Sequence, residues 1–306
     1  MTRREALRLM VAAAALASSR YSFASGAHRM ETQSLLTRKI PSTGEAIPVI
    51  GLGSWQTFDV GASTQERAPL EEVLKAFADR GGKVVDSSPM YGRSEEVIGD
   101  LAAKLGIRDH FFLATKVWTS GREEGIRQME HSLRKLRTKT LDLMQVHNLL
   151  DAETHLKTLA EWKAAGRIRH VGITHYHAGG HEAVVKAMQA HPIDFVQINY
   201  SVGEREAEKR VLPLAKERGI AVIANRPFAG GDLFRRLRGK PLPAWAAKID
   251  CSSWAQILLK FAVSHAAITC AIPATSKVKH LRDNMGAGLG RMPDDKLRER
   301  MAREAV

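Results

Sequence analysis

The sequence predicts a parallel α/β protein: a (β/α)8 barrel of the TIM type with an N-terminal β-hairpin. Short apolar runs alternate with helical patterns from Val49 onward and give eight βα units, the number that closes such a barrel. The length agrees, since 306 residues with no long linker fit one barrel domain. The polar residues agree as well. Asp86, Tyr91, Lys116 and His147 each lie at or just after the end of an apolar run, in the segments Lys83 to Tyr91, HFFLATKVW and LDLMQVHN. Parallel barrel strands deliver such side chains to one common mouth. An acid, a phenol, a lysine and an imidazole gathered there point to proton transfer to or from a carbonyl or an alcohol.

Residues 1–27 read as a signal peptide and residues 28–306 as the single barrel. Thr2 through Arg8 form a basic n-region, Leu9 to Ala17 an alanine-rich apolar stretch, and Ala24-Ser25-Gly26-Ala27 a small-residue cleavage site. The Arg3-Arg4 pair and the weakly hydrophobic stretch resemble a twin-arginine leader, with Ala6 where that pattern prefers Phe. A mitochondrial transit peptide and a plain tail are the competing readings. The expectation is export to the periplasm by the twin-arginine machinery, which carries folded proteins.

After the leader, Leu36–Ile40 and Ile47–Ile50 flank the turn Ser42-Thr43-Gly44-Glu45 as a hairpin, and Val49–Leu52 is the first barrel strand. Leu70, Val73, Leu74 and Phe77 recur at helical spacing, Gly81-Gly82 stops that helix, and Val84-Val85 starts the next strand. Strand Phe111–Thr115 precedes a helix over Arg122–Leu136, and strand Leu141–Val146 one over Glu153–Ala165. Strand His170–Ile173 leads to His181–Gln189, strand Asp194–Ile198 to a helix over Glu204–Glu217, and strand Ile220–Ala224 to Ser253–Val263. Strand Ala267–Ile272 is followed by a last helix, Val278–Gly286.

Lys and Arg outnumber Asp and Glu 46 to 33, for a net charge of +13, and the leader holds four of those arginines against one glutamate. No aromatic-interleaved basic stripe accompanies the charge, so the expected partner is an anionic small molecule and no nucleic acid. No apolar run reaches the roughly 18 residues of a spanning helix, so no stable membrane insertion is expected. A monomer is expected. Cys251 and Cys270 lack CxxC spacing, and Cys270 sits in the apolar run AAITCAIPA, so it is expected to be a small buried core residue; a disulfide between the two after export is the competing reading.

With these residues quoted, the chain resembles the aldo-keto reductases over roughly Leu35 to Leu289. The marks are GLGSW at 51–55, the block from Asp86-Ser87-Ser88 into PMYGRSEEVIG at 89–99, ATKVW at 114–118, MQVHN at 144–148, GITHY at 172–176, VQINYS at 196–201 and IPATSKVKHLRDN at 272–284. The family's catalytic tetrad falls on Asp86, Tyr91, Lys116 and His147. The resemblance implies reduction of an aldehyde or ketone by hydride transfer. Tyr91 would be the general acid, Lys116 would lower its pKa, Asp86 would hold Lys116, and His147 would orient the carbonyl oxygen. A free phenol, with a pKa of about 10, is otherwise reluctant to ionise.

The resemblance also implies a nucleotide site. Gln197 matches the glutamine under the nicotinamide and Thr174 the serine at its carboxamide, with His175 where the family usually has Asn. Asn225, followed by Arg226, replaces the stacking aromatic. Ser276 and Lys277 precede the last helix, whose N-terminus favours a phosphate, and Asn284 matches the adenine contact. His280 replaces the arginine often used on the 2′-phosphate, and Lys277 or Lys279 supplies charge there, so NADP(H) is the expected cofactor. Trp55, Met90 and Trp118 fall on substrate-pocket positions and favour a carbonyl compound with a hydrophobic or ring-like body. Two other readings stay open: a metal-dependent hydrolase using His175-x-His177, and a nucleotide-binding barrel that acts as a sensor or partner.

Overall fold

The computed structural model describes residues 34–305, and the leader expected at residues 1–27 lies outside them. The hairpin is present: β1 (Thr37–Lys39) pairs antiparallel with β2 (Ala46–Pro48), with Arg38 opposite Ile47. Its turn holds Gly44 at φ 75°, a left-handed conformation that glycine adopts without steric cost.

Eight parallel strands follow: β3 (Leu52–Gly53), β4 (Val84–Asp86), β5 (Phe112–Val117), β6 (Leu141–His147), β7 (Ile168–Thr174), β8 (Phe195–Asn199), β9 (Ala221–Asn225) and β10 (Cys270–Ala271). Each pairs with its neighbour in chain order. The barrel closes between its first and last strands: Gly51 N–H donates to Ala271 O at 2.8 Å, Ala271 N–H to Val49 O at 2.9 Å and Gly53 N–H to Pro273 O at 3.1 Å. A Cβ on Gly53 would lie 2.7 Å from Ile272 O, so closure at this seam requires glycine.

The helices between strands are α1 (Thr64–Asp79), α2 (Ser94–Lys104), α3 (Arg122–Lys135), α4 (Ala152–Ala164), α5 (His181–Ala190), α6 (Val211–Arg218), the short α7 (Asp232–Arg236) and α8 (Trp254–Ser264), then α9 (Val278–Gly286) and α10 (Asp295–Glu304) after β10. Their starts are legible chemically: Ser63 Oγ accepts the Glu66 N–H ahead of α1, and Ser253 Oγ accepts the Gln256 N–H ahead of α8. Leu70, Val73, Leu74 and Phe77 of α1 are buried, as their spacing predicts.

Two apolar layers result. One lies between the strands and the helix ring. The other fills the barrel interior, where Ile40 and Ile47 of the hairpin region join Phe112, Leu143, Phe195 and Cys270. Cys270 is a buried free thiol, as expected, and Cys251 is buried and free as well.

Two expectations change. The helix expected over Glu204–Glu217 begins only at Val211, after a 3-10 turn at Glu206–Lys209. Pro213 has no N–H to give and is tolerated only in a first turn, which sets the start of α6. Helix α9 is also not the last: α10 follows, with Asp294 Oδ1 accepting the Leu297 N–H at 2.8 Å as its cap.

Candidate active site

Strand β4 ends at Asp86, and the next five residues carry the chain back over the mouth. Tyr91 N–H donates to Ser88 O at 2.9 Å, closing a turn with Pro89 at its second position. The Ser88 hydroxyl accepts the Met90 N–H at 3.3 Å inside that turn. Tyr91 is thereby set, half-buried, above the end of β5.

Lys116 is fully buried on β5 and donates to Asp86 Oδ2 at 2.8 Å and to Ser87 O at 2.6 Å. Its Nζ lies 5.0 Å from the centre of the Tyr91 ring. Asp86, itself 2% exposed, is saturated with donors. Gln197 Nε2 donates to its Oδ1 at 3.0 Å, and Gln145 Nε2 reaches the same oxygen at 3.4 Å. A buried ion pair is weak as a stabilising device, because desolvation offsets most of the attraction. Its value lies in holding an ammonium beside a phenol.

Burial opposes the charge on Lys116, but Asp86 and Tyr91 outweigh it and hold its pKa above the ordinary lysine value. Burial pushes the pKa of the Tyr91 phenol up and Asp86 adds to this; Lys116 lowers it, as expected, but only in part, and does not set the direction of the net shift. The lysine thus does not make Tyr91 a phenolate at rest. It keeps a protonated acid from becoming still weaker.

His147 ends β6, 5% exposed, with its ring edge-on to Tyr91 at 5.9 Å between centroids. Burial, aided by the Lys116 charge and by His175, lowers its pKa to about 3, so it is neutral near neutral pH. Its Nδ1 is 3.0 Å from Ser88 Oγ. The residues Ser88 and Gln145 were not identified from the sequence as part of the site. Their only signal was position, one in the segment after β4 and one two residues before His147.

Strand register joins this group to the nucleotide residues, pairing Lys116 with Gln145, His147 with Thr174, and Thr174 with Gln197. Thr174 and Gln197 are buried, and His175 follows Thr174 half-buried. Asn225 ends β9 and donates from Nδ2 to His175 O at 3.1 Å, so in place of an aromatic face the chain has an amide bridging two strand ends. Arg226 follows at φ 52°. Asn225 Oδ1 is buried with no hydrogen-bond partner among the described residues, and Arg226 Nε, also without a hydrogen bond, faces Glu204 Oε2 at 3.9 Å. Lys277 caps α9 without a side-chain hydrogen bond. Ser276 is half-buried, Lys277 and His280 are exposed, and Asn284 is buried on α9.

The rim is apolar. Trp55, Met90 and Trp118 are 46%, 39% and 40% exposed, and Leu150 and Tyr176, which follow β6 and β7, are 36% and 50% exposed. Large apolar side chains left this open around one end of a barrel mark a binding surface. His175 and His177 stand ring against ring at 4.5 Å, yet no group of three or more His, Cys, Asp or Glu able to hold a metal occurs among the described residues.

The comparisons with known proteins agree with this geometry. The chain matches the Aldo/keto reductase family over residues 49–300. It is 32% identical over 200 residues to the aldo-keto reductase YhdN of Bacillus subtilis, a match covering 60% of this chain and 59% of that protein. The methylglyoxal reductase YeaE of Escherichia coli is 28% identical over 246 residues, covering 78% of this chain and 84% of that protein. Among solved structures, the aldo/keto reductase of Klebsiella pneumoniae in complex with NADP and acetate superposes with a TM-score of 0.71 at 25% identity, covering 85% of this chain and 92% of that one. These matches are reductases, and they favour the oxidoreductase reading over the metal-dependent hydrolase and the sensor.

Proposed function

The chain belongs to the aldo/keto reductase family, and on that footing we propose that it is an NADP(H)-dependent oxidoreductase that reduces an aldehyde or ketone to an alcohol. The observation that carries this is the Asp86–Lys116–Tyr91 constellation, a buried ion pair whose ammonium lies against a phenol ring. The nucleotide fits the residues present. Asn225 Oδ1, buried and without a hydrogen-bond partner among the described residues, lies at the end of β9 beside Arg226, whose Nε faces Glu204 Oε2 at 3.9 Å; Gln197 lies on β8, Thr174 at the end of β7, and Ser276, Lys277 and His280 at the start of α9. A bound nicotinamide would supply the hydride.

The chain's own residues do the rest. Tyr91 gives its proton to the carbonyl oxygen as negative charge develops there. Lys116 stabilises the phenolate left behind, and Asp86 keeps the ammonium in place. His147, neutral, donates a hydrogen bond to the same oxygen and orients it. The apolar rim of Trp55, Met90 and Trp118 supports a substrate with a hydrophobic or ring-like body. The Escherichia coli relative's name makes a 2-oxoaldehyde a further candidate. The test is NADPH consumption matched by alcohol formation, with aromatic aldehydes and 2-oxoaldehydes as substrates. Nucleotide binding without turnover on any of them would overturn the assignment.

Residues 1–27 support a second part of the reading: a twin-arginine leader and a periplasmic enzyme that acquires its cofactor before export. Changing Arg3 and Arg4 to Lys is expected to strand the precursor in the cytoplasm. An unchanged periplasmic yield would remove the assignment.

A further inference from the structure

We propose that Ser88 is a positioning residue that fixes His147 in the tautomer carrying its proton on Nε2, the nitrogen that then donates to the substrate oxygen. The inference rests on the reductase reading above. Neutral imidazole has a single N–H, and which nitrogen bears it is set by what the other nitrogen meets. Nδ1 of His147 lies 3.0 Å from Ser88 Oγ, and both side chains are buried.

The direction of that hydrogen bond follows from the rest of the turn. A hydroxyl has one proton to give and can accept from two donors. The Met90 N–H can only donate, and it points to Ser88 Oγ at 3.3 Å. Were Nδ1 also a donor, Oγ would accept twice and its own proton would need another acceptor. Among the described residues, Oγ has no hydrogen-bond neighbour other than Met90 N and His147 Nδ1. That alternative therefore buries an unpaired hydroxyl proton, a cost of roughly 1–3 kcal/mol. With Oγ–H directed at Nδ1, the hydroxyl proton, the Met90 N–H and Nδ1 are all paired, and the ring proton must sit on Nε2. Among the described residues Nε2 makes no hydrogen bond, so it is the nitrogen free to reach a ligand.

Pro89 contributes through the backbone, by presetting the turn that brings the Ser88 hydroxyl under a ring 59 residues away in the chain. An alanine at position 88 keeps the Tyr91 N–H to carbonyl bond of that turn but has no proton to direct.

The experiment uses the full-length protein labelled with 15N-histidine, with His147 assigned by the His147→Gln variant. The unmodified protein is expected to show a protonated Nε2 and an unprotonated Nδ1 near neutral pH. In Ser88→Ala both nitrogens should move toward averaged shifts, and kcat should fall about three- to tenfold, the scale of one neutral hydrogen bond, while NADPH affinity holds. Ser88→Thr, which keeps the hydroxyl, should restore both. A protonated Nδ1 in the unmodified protein overturns the proposal. So does a Ser88→Ala protein in which the tautomer or kcat alone changes, or neither. If Ser88→Ala does not fold, the unmodified spectrum and Ser88→Cys, with its weaker S–H donor, decide the matter. Absence of reductase activity in the unmodified protein would count against the proposed function, and the ring spectrum would still decide the role of Ser88.

Discussion

The catalytic side of the mouth, from β4 to β6, and its nucleotide side, from β7 to β10, are completed to different degrees by the protein itself. On the first side the groups that carry or move a proton are held, Asp86 accepting from Lys116, Gln197 and Gln145 and His147 tied to Ser88, while the neutral Ser87 Oγ and Gln145 Oε1 are buried without partners among the described residues. On the second, Asn225 Oδ1 is buried without a hydrogen-bond partner among the described residues, Arg226 Nε faces Glu204 Oε2 only at 3.9 Å, and Lys277 caps α9 without a side-chain bond. Gln197 joins the two, spending one amide hydrogen on Asp86. The difference separates two tasks. A proton donor must be held in one geometry before the reaction starts, because reorganisation during it would add to the barrier. A nucleotide site can leave polar groups open, because the ligand satisfies them.

That division is broken most directly at Tyr91. Tyr91→Phe removes the acid without disturbing the nucleotide side, so kcat for reduction should fall by about 10²–10⁴-fold with NADPH affinity unchanged within about twofold. Stopped turnover and a fluorescence titration measure the two. An equal loss in both would mean that the two sides are not separable.

A second test strikes the ion pair. Lys116→Met leaves Asp86 buried without its cation, a change that costs about 3–5 kcal/mol when nothing compensates. The Gln197 and Gln145 donors remain, so the lower end of that range is expected in urea unfolding. No loss of stability would mean that the two glutamines suffice to hold the carboxylate.

On the nucleotide side the expected effect is smaller. The segment Ser276-Lys277-Val278-Lys279-His280 carries no carboxylate, so NADPH should bind at least about tenfold tighter than NADH, a difference of about 1.4 kcal/mol. Lys277→Ala should remove most of that preference and leave kcat intact. Equal affinities in the unmodified protein would show that the loss of the usual arginine to His280 outweighs the lysines.

The smallest effect is a pH dependence of the catalytic side. His147 has its pKa lowered from 6.5 to about 3, so below pH 6.5 the unfolded chain binds this proton and the folded protein does not. Stability contributed by this group is complete above pH 6.5 and is lost as pH falls toward 3. Between pH 7 and 5.5 the unmodified protein should lose about 1 kcal/mol more than His147→Gln. Parallel curves for the two proteins would place the imidazole in a wetter setting than its burial implies.

The sequence by itself determined what depends on near neighbours. Alternating apolar runs specified eight βα units, and strand-end placement put Asp86, Tyr91, Lys116 and His147 at one mouth, because strand direction carries side chains there without reference to distant residues. It carried more than was read from it: Asp294 signals the start of α10, and Pro213 forbids a helix running through from Glu204. Pairings across the barrel belong to the tertiary structure alone. Gln197 reaches Asp86 over 111 residues and Ser88 reaches His147 over 59, contacts set by register and stagger that no local pattern encodes. The balance at Tyr91 is of the same kind. Lys116 beside it could be inferred from the motif, but how far burial outweighs that charge is decided only when the barrel closes and removes water from both.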